Sequence, residues 1–390
     1  MIVAAAVALV CLPVAVGLYA YIAYPLLLVL IGRRNQSFDS SEAVDLPLVS
    51  VVLPAYNEEA QVAGAVDALL SQDYPPERMQ ILVISDASTD RTDAIVSGYA
   101  SRGVELLRLP ERSGKTKGEN AASLLLRGEI IVNTDSSIRL DKGAVSSLVR
   151  RMAEPGVGVA SGRDVSISAM QASNSTEAGY VGYEMWVRAL ETRTGGIVGA
   201  SGSCYAIRSE LHRIPVRNDL SRDFSAALTA QANGFRAVSV DEAVCYVPRT
   251  GSLQREFRRK IRTIARGMNT LYARRELLNP ARHGLFAWKL FSHKICRWLL
   301  PLSVIPAIFG LGFLSIDNLT ARALFAAALI PAVLALIGAK WPAGKRIPRA
   351  ISVAAFGVAA NLAVICAFWR FVSGGNDAVW EPTRREAAAQ

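Results

Sequence analysis

Cysteine is scarce. The five residues, Cys11, Cys204, Cys245, Cys296 and Cys366, are odd in number, scattered and never spaced as CxxC, which indicates neither a disulfide framework nor a zinc site. Internal repeats and low-complexity tracts are also missing, so no repeat architecture needs to be considered. Residues 2 to 31 lack any charged side chain. A run of about 20 apolar residues is enough to cross the hydrocarbon core of a bilayer. A cleaved secretory signal would begin with positive charge and carry a shorter apolar region, whereas here the first charges, Arg33 and Arg34, follow the segment. Residues 1–33 therefore read as an uncleaved membrane anchor with its N-terminus outside.

Acidic residues number 33 against 43 basic ones, giving a net charge of +10 and a pI near 9.6. Much of the basic excess lies beside apolar segments or within residues 255 to 275. Anionic headgroups and phosphorylated ligands account for it without nucleic acid. Half of the chain is hydrophobic, but these residues concentrate at the two ends, and residues 35 to 280 have the composition of a soluble protein. Three further apolar stretches lie near 300–316, 319–339 and 350–371 within a C-terminal region of 300–373, leaving a tail at 374–390. The link between the last two carries Lys340, Lys345, Arg346 and Arg349, which the positive-inside tendency places in the cytosol. Residues 284–299, GLFAWKLFSHKICRWL, interleave Trp, Phe and Leu with Lys and His. This suits an amphipathic helix at the membrane surface in contact with lipid, in preference to the start of the next span.

Between the ends, in a domain over residues 45–280, short β-rich runs alternate with helical ones: VSVVLPAYN and a helix from Glu58, ILVISDAS and a helix from Thr89, VELLRLP and a helix near Lys115, EIIVNTDSS and a helix from Asp141. That is an α/β pattern. Continuous Val/Ile/Leu runs belong to strands buried on both faces, so a mostly parallel sheet with helices on each side is expected. Ligands bind such sheets at the carboxyl ends of the strands, where Tyr56, Asn57, Glu58, Asp86 and Asp135 fall. After residue 165 the pattern is less regular: a helical stretch from about Met170 to Arg193, the segment GGIVGASGSCYAIR, a helix from about Asp219 and a strand around RAVSVDEAVCYV.

The order and spacing of VSVVLPAYNEE, SDASTDRT, GKTKGEN, NTDSS, GSCYAIR and SRD resemble the family 2 glycosyltransferases of A-type fold, the group containing cellulose, chitin and hyaluronan synthases. The resemblance runs over roughly residues 45 to 275 and implies an A-type nucleotide-sugar-binding fold with transmembrane helices at both ends. It implies that Tyr56, Asn57, Glu58 and Asp86 bind the nucleotide, with a helix cap as the alternative for the SDASTD turn. Asp135 corresponds to the motif that holds a divalent metal, Mg²⁺ or Mn²⁺, on the donor diphosphate. The third position of that motif is Ser137, a weaker ligand than a carboxylate. Lys115 matches the family's Gly-Lys position and contacts phosphate, unless it and Lys117 are a solvated pair. Asp223 matches the catalytic base, although Arg222 stands where an acidic residue is usual, and a helix N-cap is the competing reading. Gly202, Ser203 and Cys204 correspond to the loop that lines the acceptor sugar, or serve a tight turn.

The tryptophan of the processive QxxRW signature is missing: counted from Gln254, the arginine position holds Phe257 and the tryptophan position Arg258. Arg258, Lys260 and Arg262 still supply cations for the diphosphate or, alternatively, a basic face against lipid. The tail segment WEPTRR, residues 380–385, resembles a segment that closes over bound nucleotide, yet one N-terminal and three C-terminal spans would leave it outside the cell. The expectation is a multi-pass enzyme of the cell (inner) membrane with a cytosolic domain. It would transfer a sugar with inversion from a UDP-sugar to an exopolysaccharide or lipid-linked acceptor. Transfer onto polyprenyl phosphate and a catalytically impaired scaffold are the alternatives. With so few spans, secretion of a polymer would call for a homo-oligomer or a partner protein.

Overall fold

The computed structural model describes residues 1–32, 46–167, 175–248, 253–342 and 347–375. Arg33 and Arg34, the start of the helix expected at Met170, Lys345, Arg346 and the WEPTRR segment lie outside these residues. Strands β1 (Val49–Ala55), β2 (Met79–Ser85), β3 (Val104–Arg108) and β4 (Ile130–Thr134) form a parallel half-sheet in the order β3-β2-β1-β4. Every residue of β1 and β4 is buried, which explains the unbroken apolar runs. Alternate side chains feed separate cores. Val49, Val51 and Leu53 pack against helices Val62–Leu70 and Ala144–Met152, while Val52, Leu82 and Ile84 pack against Lys115–Ala122 and Arg222–Ala232.

Strands β5 (Arg139–Leu140), β6 (Val157–Ile167), β7 (Cys204–Arg208) and β8 (Arg236–Pro248) complete an eight-stranded sheet of order β3-β2-β1-β4-β7-β6-β8-β5. The parallel pattern stops at β7, which is antiparallel to both β4 and β6, so the sheet as a whole is mixed. The helices begin at Val62, Thr92, Ala144 and Arg222, three residues later than the sequence pattern suggested for the last three and four for the first. The polar residues between strand and helix form loops instead, held by hydrogen bonds across strand ends.

Helices Ile2–Gly32, Pro280–Leu314, Leu319–Ala339 and Arg349–Val372 are long and apolar enough to cross a membrane. The first packs on the second where Gly310 lets the backbones approach; a Cβ there would lie 2.9 Å from the Ala6 carbonyl oxygen. Residues 284–299 are not a separate surface helix: the chain passes through a π turn, Phe291–Ile295, directly into Cys296–Leu314. The polar side chains of this stretch turn into the protein rather than toward lipid, with Lys289 1%, His293 3% and Arg297 8% exposed. His293 bridges Glu191 (2.6 Å) and Glu184 (2.8 Å) of the helix Ser175–Arg193, and Arg297 binds Glu184 at 2.6 Å. Lys289 donates to the carbonyls of Thr194 (3.2 Å) and Gly196 (2.5 Å). An amphipathic pattern requires a polar surface for its polar face, and here the globular domain provides it.

Helix Leu253–Ala273 carries Arg255, Arg258, Arg259, Lys260, Arg262 and Arg266 and runs beside Arg349–Val372. Lys260 sits 4.3 Å from the Phe356 ring centre, and Tyr272 meets Phe371 edge-on at 5.9 Å. At 1.5 Å rise per residue these contacts are about 18 Å apart on one helix and about 22 Å apart on the other, so the two lie side by side.

Candidate active site

The parallel half-sheet gathers four loops at the carboxyl ends of its strands. After β1, Asn57 adopts a left-handed conformation (φ 52°) and links to the loop after β2. Its amide N–H donates to Ser88 Oγ (3.2 Å) and its Oδ1 accepts from the Thr89 N–H (2.8 Å). Ala87 in that second loop is also left-handed (φ 56°), an unfavourable state for a residue with a Cβ and no side-chain hydrogen bond, of the kind concentrated at functional sites. Glu58 is buried and its N–H donates to Thr92 Oγ1 (2.8 Å). The Tyr56 ring stacks against the Arg112 guanidinium at 4.1 Å.

Asp86 is buried, and its carboxylate accepts the N–H groups of Ser113 (2.6 Å) and Gly114 (2.9 Å). Asp86 thus caps no helix; within SDASTD it is Asp90 whose carboxylate accepts the N–H of Thr92 (2.9 Å), where the next helix starts. Asp86 instead fixes the loop after β3, where Gly114 takes φ 87°, a region that favours glycine, and opens the helix Lys115–Ala122. Asp86 thereby places Lys115 at the start of that helix.

Lys115 lies 2.5 Å from Asp135 Oδ1 and 4.0 Å from Glu119 Oε1. Burial works against its charge, but Asp135 and Glu119 hold its pKa above the ordinary lysine value. The solvated-pair reading fails for Lys115, which is embedded, and survives for Lys117, which meets only exposed Glu111 at 3.3 Å. Asp135 directly follows β4, and the next strand over, β7, brings the loop of Gly202 and Ser203 beside it. Thr134 pairs with Cys204 across the ladder, and Thr134 Oγ1 donates to the Ser203 carbonyl at 2.9 Å.

Asp223 lies in the first turn of Arg222–Ala232; the capping position belongs to Ser221, whose hydroxyl donates to Asp223 Oδ1. A Cβ placed on Gly202 would lie 3.0 Å from Asp223 Oδ2, so this glycine admits the carboxylate against the loop backbone. Gly202 and Ser203 thus lie between Asp223 and the end of β4. Cys204 does not: as the first residue of β7 it is fully buried in the apolar core with Cys245.

Arg222, which broke the expected acidic pattern, is buried against Glu119 (3.2 Å), Asn120 Oδ1 (2.5 Å) and the His212 carbonyl (3.0 Å). Glu119 is wholly buried between Lys115 and Arg222; burial raises its pKa despite both cations. The ion pairs run Asp135, Lys115, Glu119, Arg222, and the last is covalently next to Asp223. Sequence reasoning missed Glu119 because nothing local marks it within a short polar helix. It also missed Arg266, which donates to Thr116 Oγ1 (2.9 Å) and to the carbonyls of Asn218 (3.3 Å) and Leu220. Arg258 and Arg262 precede Arg266 at four-residue intervals and so share its side of the helix. Arg258 is exposed, and Arg266 reaches the helix that bears Lys115.

A divalent cation needs hard oxygen ligands, and among the described residues no cluster of three or more His, Cys, Asp or Glu offers a complete cage. Asp135, with Ser137 nearby and the buried Ser136 hydroxyl without a partner, fits a cation whose remaining ligands come from phosphate and water.

Residues 50–213 match the model of the Glycosyl transferase family 2 domain. An N-acetylglucosaminyltransferase of Rhizobium meliloti (strain 1021) is 26% identical over 290 residues, covering 68% of this chain and 66% of that protein. An N-acetylglucosaminyltransferase of Rhizobium sp. (strain N33) is 28% identical over 286 residues, covering 67% of this chain and 62% of that protein. The matched stretch thus spans just under two thirds of these relatives. The solved mannosyltransferase PcManGT of Pyrobaculum calidifontis, in complex with GDP-Man and Mn²⁺, shares the fold with a TM-score of 0.73 at 21% identity, over 96% of this chain and 100% of that one. Sheet order, strand-end carboxylates and the family match converge on residues 50–213, which carry a domain similar to the Glycosyl transferase family 2 model.

Proposed function

We propose that the protein is a membrane-bound inverting glycosyltransferase that moves a sugar from a nucleotide-sugar donor, a UDP-sugar, to an exopolysaccharide or lipid-linked acceptor. The observation that carries this reading is that Asp135 and Asp223 both act on the charge of Lys115, within the ion pairs of Asp135, Lys115, Glu119 and Arg222. The names of the rhizobial relatives favour an N-acetylglucosamine donor. Four bilayer-length helices favour attachment to the cell (inner) membrane, with the domain on the cytosolic side.

In this reading the donor lies along the loops after β1, β2 and β3, its diphosphate beside Lys115 and Asp135. A divalent ion, Mg²⁺ or Mn²⁺, held by Asp135 with Ser137 would neutralise the diphosphate leaving group. Lys115 adds a second positive charge at the same place. Asp223 Oδ2 takes the proton of the acceptor hydroxyl as that oxygen bonds to the anomeric carbon, and the bond from that carbon to the diphosphate breaks on the opposite face. Gly202 and Ser203 border the acceptor because their backbone lies against Asp223. Of the other acidic candidates, Asp219 is engaged by Arg217 at 2.6 Å and Asp241 is exposed on β8.

Purified protein incubated with a panel of UDP-sugars and Mn²⁺ should release UDP, with UDP-N-acetylglucosamine the best donor, and product mass would name the sugar transferred. Chelation, or Asp135→Ala, should abolish turnover. Full activity in EDTA would remove the metal role, and a failure of every nucleotide sugar to turn over would sink the reading.

A further inference from the structure

Strand β6 is irregular where it passes the loop of Gly202 and Ser203. Its pairing with β8 jumps from Ser161–Ser239 to Arg163–Val244, a break centred on Gly162. A Cβ there would lie 3.0 Å from the Ala243 carbonyl oxygen and 2.7 Å from Cys245 Sγ, so the tight crossing excludes a side chain. Side chains three residues apart on an unbroken strand point to opposite faces. Ser161 and Asp164 nevertheless meet the same residue, Ser201, as expected where a bulge re-aims the side chain that follows it. Ser161 Oγ accepts the Ser201 N–H at 2.8 Å, and the Ser201 hydroxyl lies 2.8 and 2.7 Å from the two oxygens of the Asp164 carboxylate.

These contacts fix a backbone. The Ser201 Oγ that donates to Asp164 also accepts the Ser203 N–H at 3.1 Å, closing a turn around Gly202. A hydroxyl has one proton to give, so sending it to Asp164 turns the lone pairs toward Ser203. Donation to a carboxylate is charge-assisted and stronger than a neutral hydrogen bond. Behind the turn, buried Arg188 donates to Ser161 Oγ, and beyond it Thr134 holds the Ser203 carbonyl. Gly202, in the middle, is the residue whose Cβ position lies 3.0 Å from Asp223 Oδ2.

We infer that Asp164 is a positioning residue for the transfer: through Ser201 it sets the Gly202–Ser203 backbone against Asp223 and thereby places the acceptor. The inference rests on the glycosyltransferase reading, in which that backbone borders the acceptor. Misplacing a reacting group by about 1 Å costs up to about 10²-fold in rate, so one lost anchor is measurable. Hydrogen–deuterium exchange of the full-length protein in lipid nanodiscs tests the anchor without turnover. Asp164→Ala and Ser201→Ala should each speed exchange in peptides spanning residues 199–203 by about tenfold. The kinetic arm uses UDP-N-acetylglucosamine as donor and an N-acetylglucosamine tetramer as acceptor. Both variants should lower kcat/KM for the tetramer by about tenfold while the KM for the donor and UDP affinity by calorimetry stay near those of the parent. Asp164→Asn, whose amide oxygen still accepts the Ser201 hydroxyl, should recover part of the loss, and the double alanine variant should be no worse than either single one. Unchanged exchange in a parent that still releases UDP would overturn the inference and leave the catalytic reading standing. Donor and acceptor constants that worsen together, or alanine effects that add, would also overturn it, since they mark a general loss of structure.

Discussion

The proposed mechanism makes Asp223 the base, and its position in the helix makes the test clean. Ser221 is the cap, so Asp223→Asn leaves the helix start in place and removes only basicity. General base catalysis contributes roughly 10²–10⁴-fold, so turnover should fall by about that factor while UDP affinity, which the proposal assigns to the loops after β1, β2 and β3, stays near normal. Near-normal transfer by the variant would move the base elsewhere. A second expectation concerns Arg222 and Glu119, 6% and 0% exposed and 3.2 Å apart. Removing one partner of a buried ion pair typically costs about 3–5 kcal/mol, whereas replacing both by apolar side chains is often neutral. Arg222→Ala should therefore lower the thermal midpoint sharply, and the double variant Arg222→Met with Glu119→Leu should recover most of it. If the double variant melts no higher than the worse single variant, the two residues are not coupled. Asp135, Asp86 and Lys115 were legible in the sequence because each follows a recognisable strand or glycine. Glu119 and Arg266 were not, since their partners lie far along the chain and no local spacing encodes an ion pair made by the tertiary fold.

At the scale of elements, β1 to β4 could be read from their unbroken apolar runs, and the helix starts were read too early because loop residues that bond across strand ends look like first-turn residues. β6 escaped notice because its second half, from Arg163, leaves the core and mixes polar with apolar positions. The segment 284–299 misled for a different reason. Its pattern records that one face is polar but not whether water, headgroups or another helix covers that face. Packing between the first two membrane helices offers a test at this scale. Gly310→Val places carbon against the Ala6 carbonyl and the Leu9 side chain, and overpacking of this kind costs about 1–3 kcal/mol. Lower thermal stability and easier proteolysis after the first helix are expected, while Gly357→Ala, with nothing within 4 Å of its Cβ position, should behave like the parent. Equal behaviour of the two variants would contradict the close approach.

For the whole molecule, the pairing of Arg349–Val372 with the basic helix bears on how often the chain passes through the bilayer. A helix bearing Arg258, Lys260, Arg262 and Arg266 does not enter hydrocarbon without great cost, and its neighbour follows it from Phe356 to Phe371. The last apolar helix would then float in the plane of the headgroups, leaving three crossings rather than four. Odd parity changes the address of everything after Val372: the chain would begin on one side of the membrane and finish on the other, sharing a compartment with the nucleotide sugar. A fluorescent protein that matures only in the cytosol, fused after Gln390, should therefore light up, and an alkaline phosphatase fused there should stay silent. The reverse pattern would restore the fourth crossing.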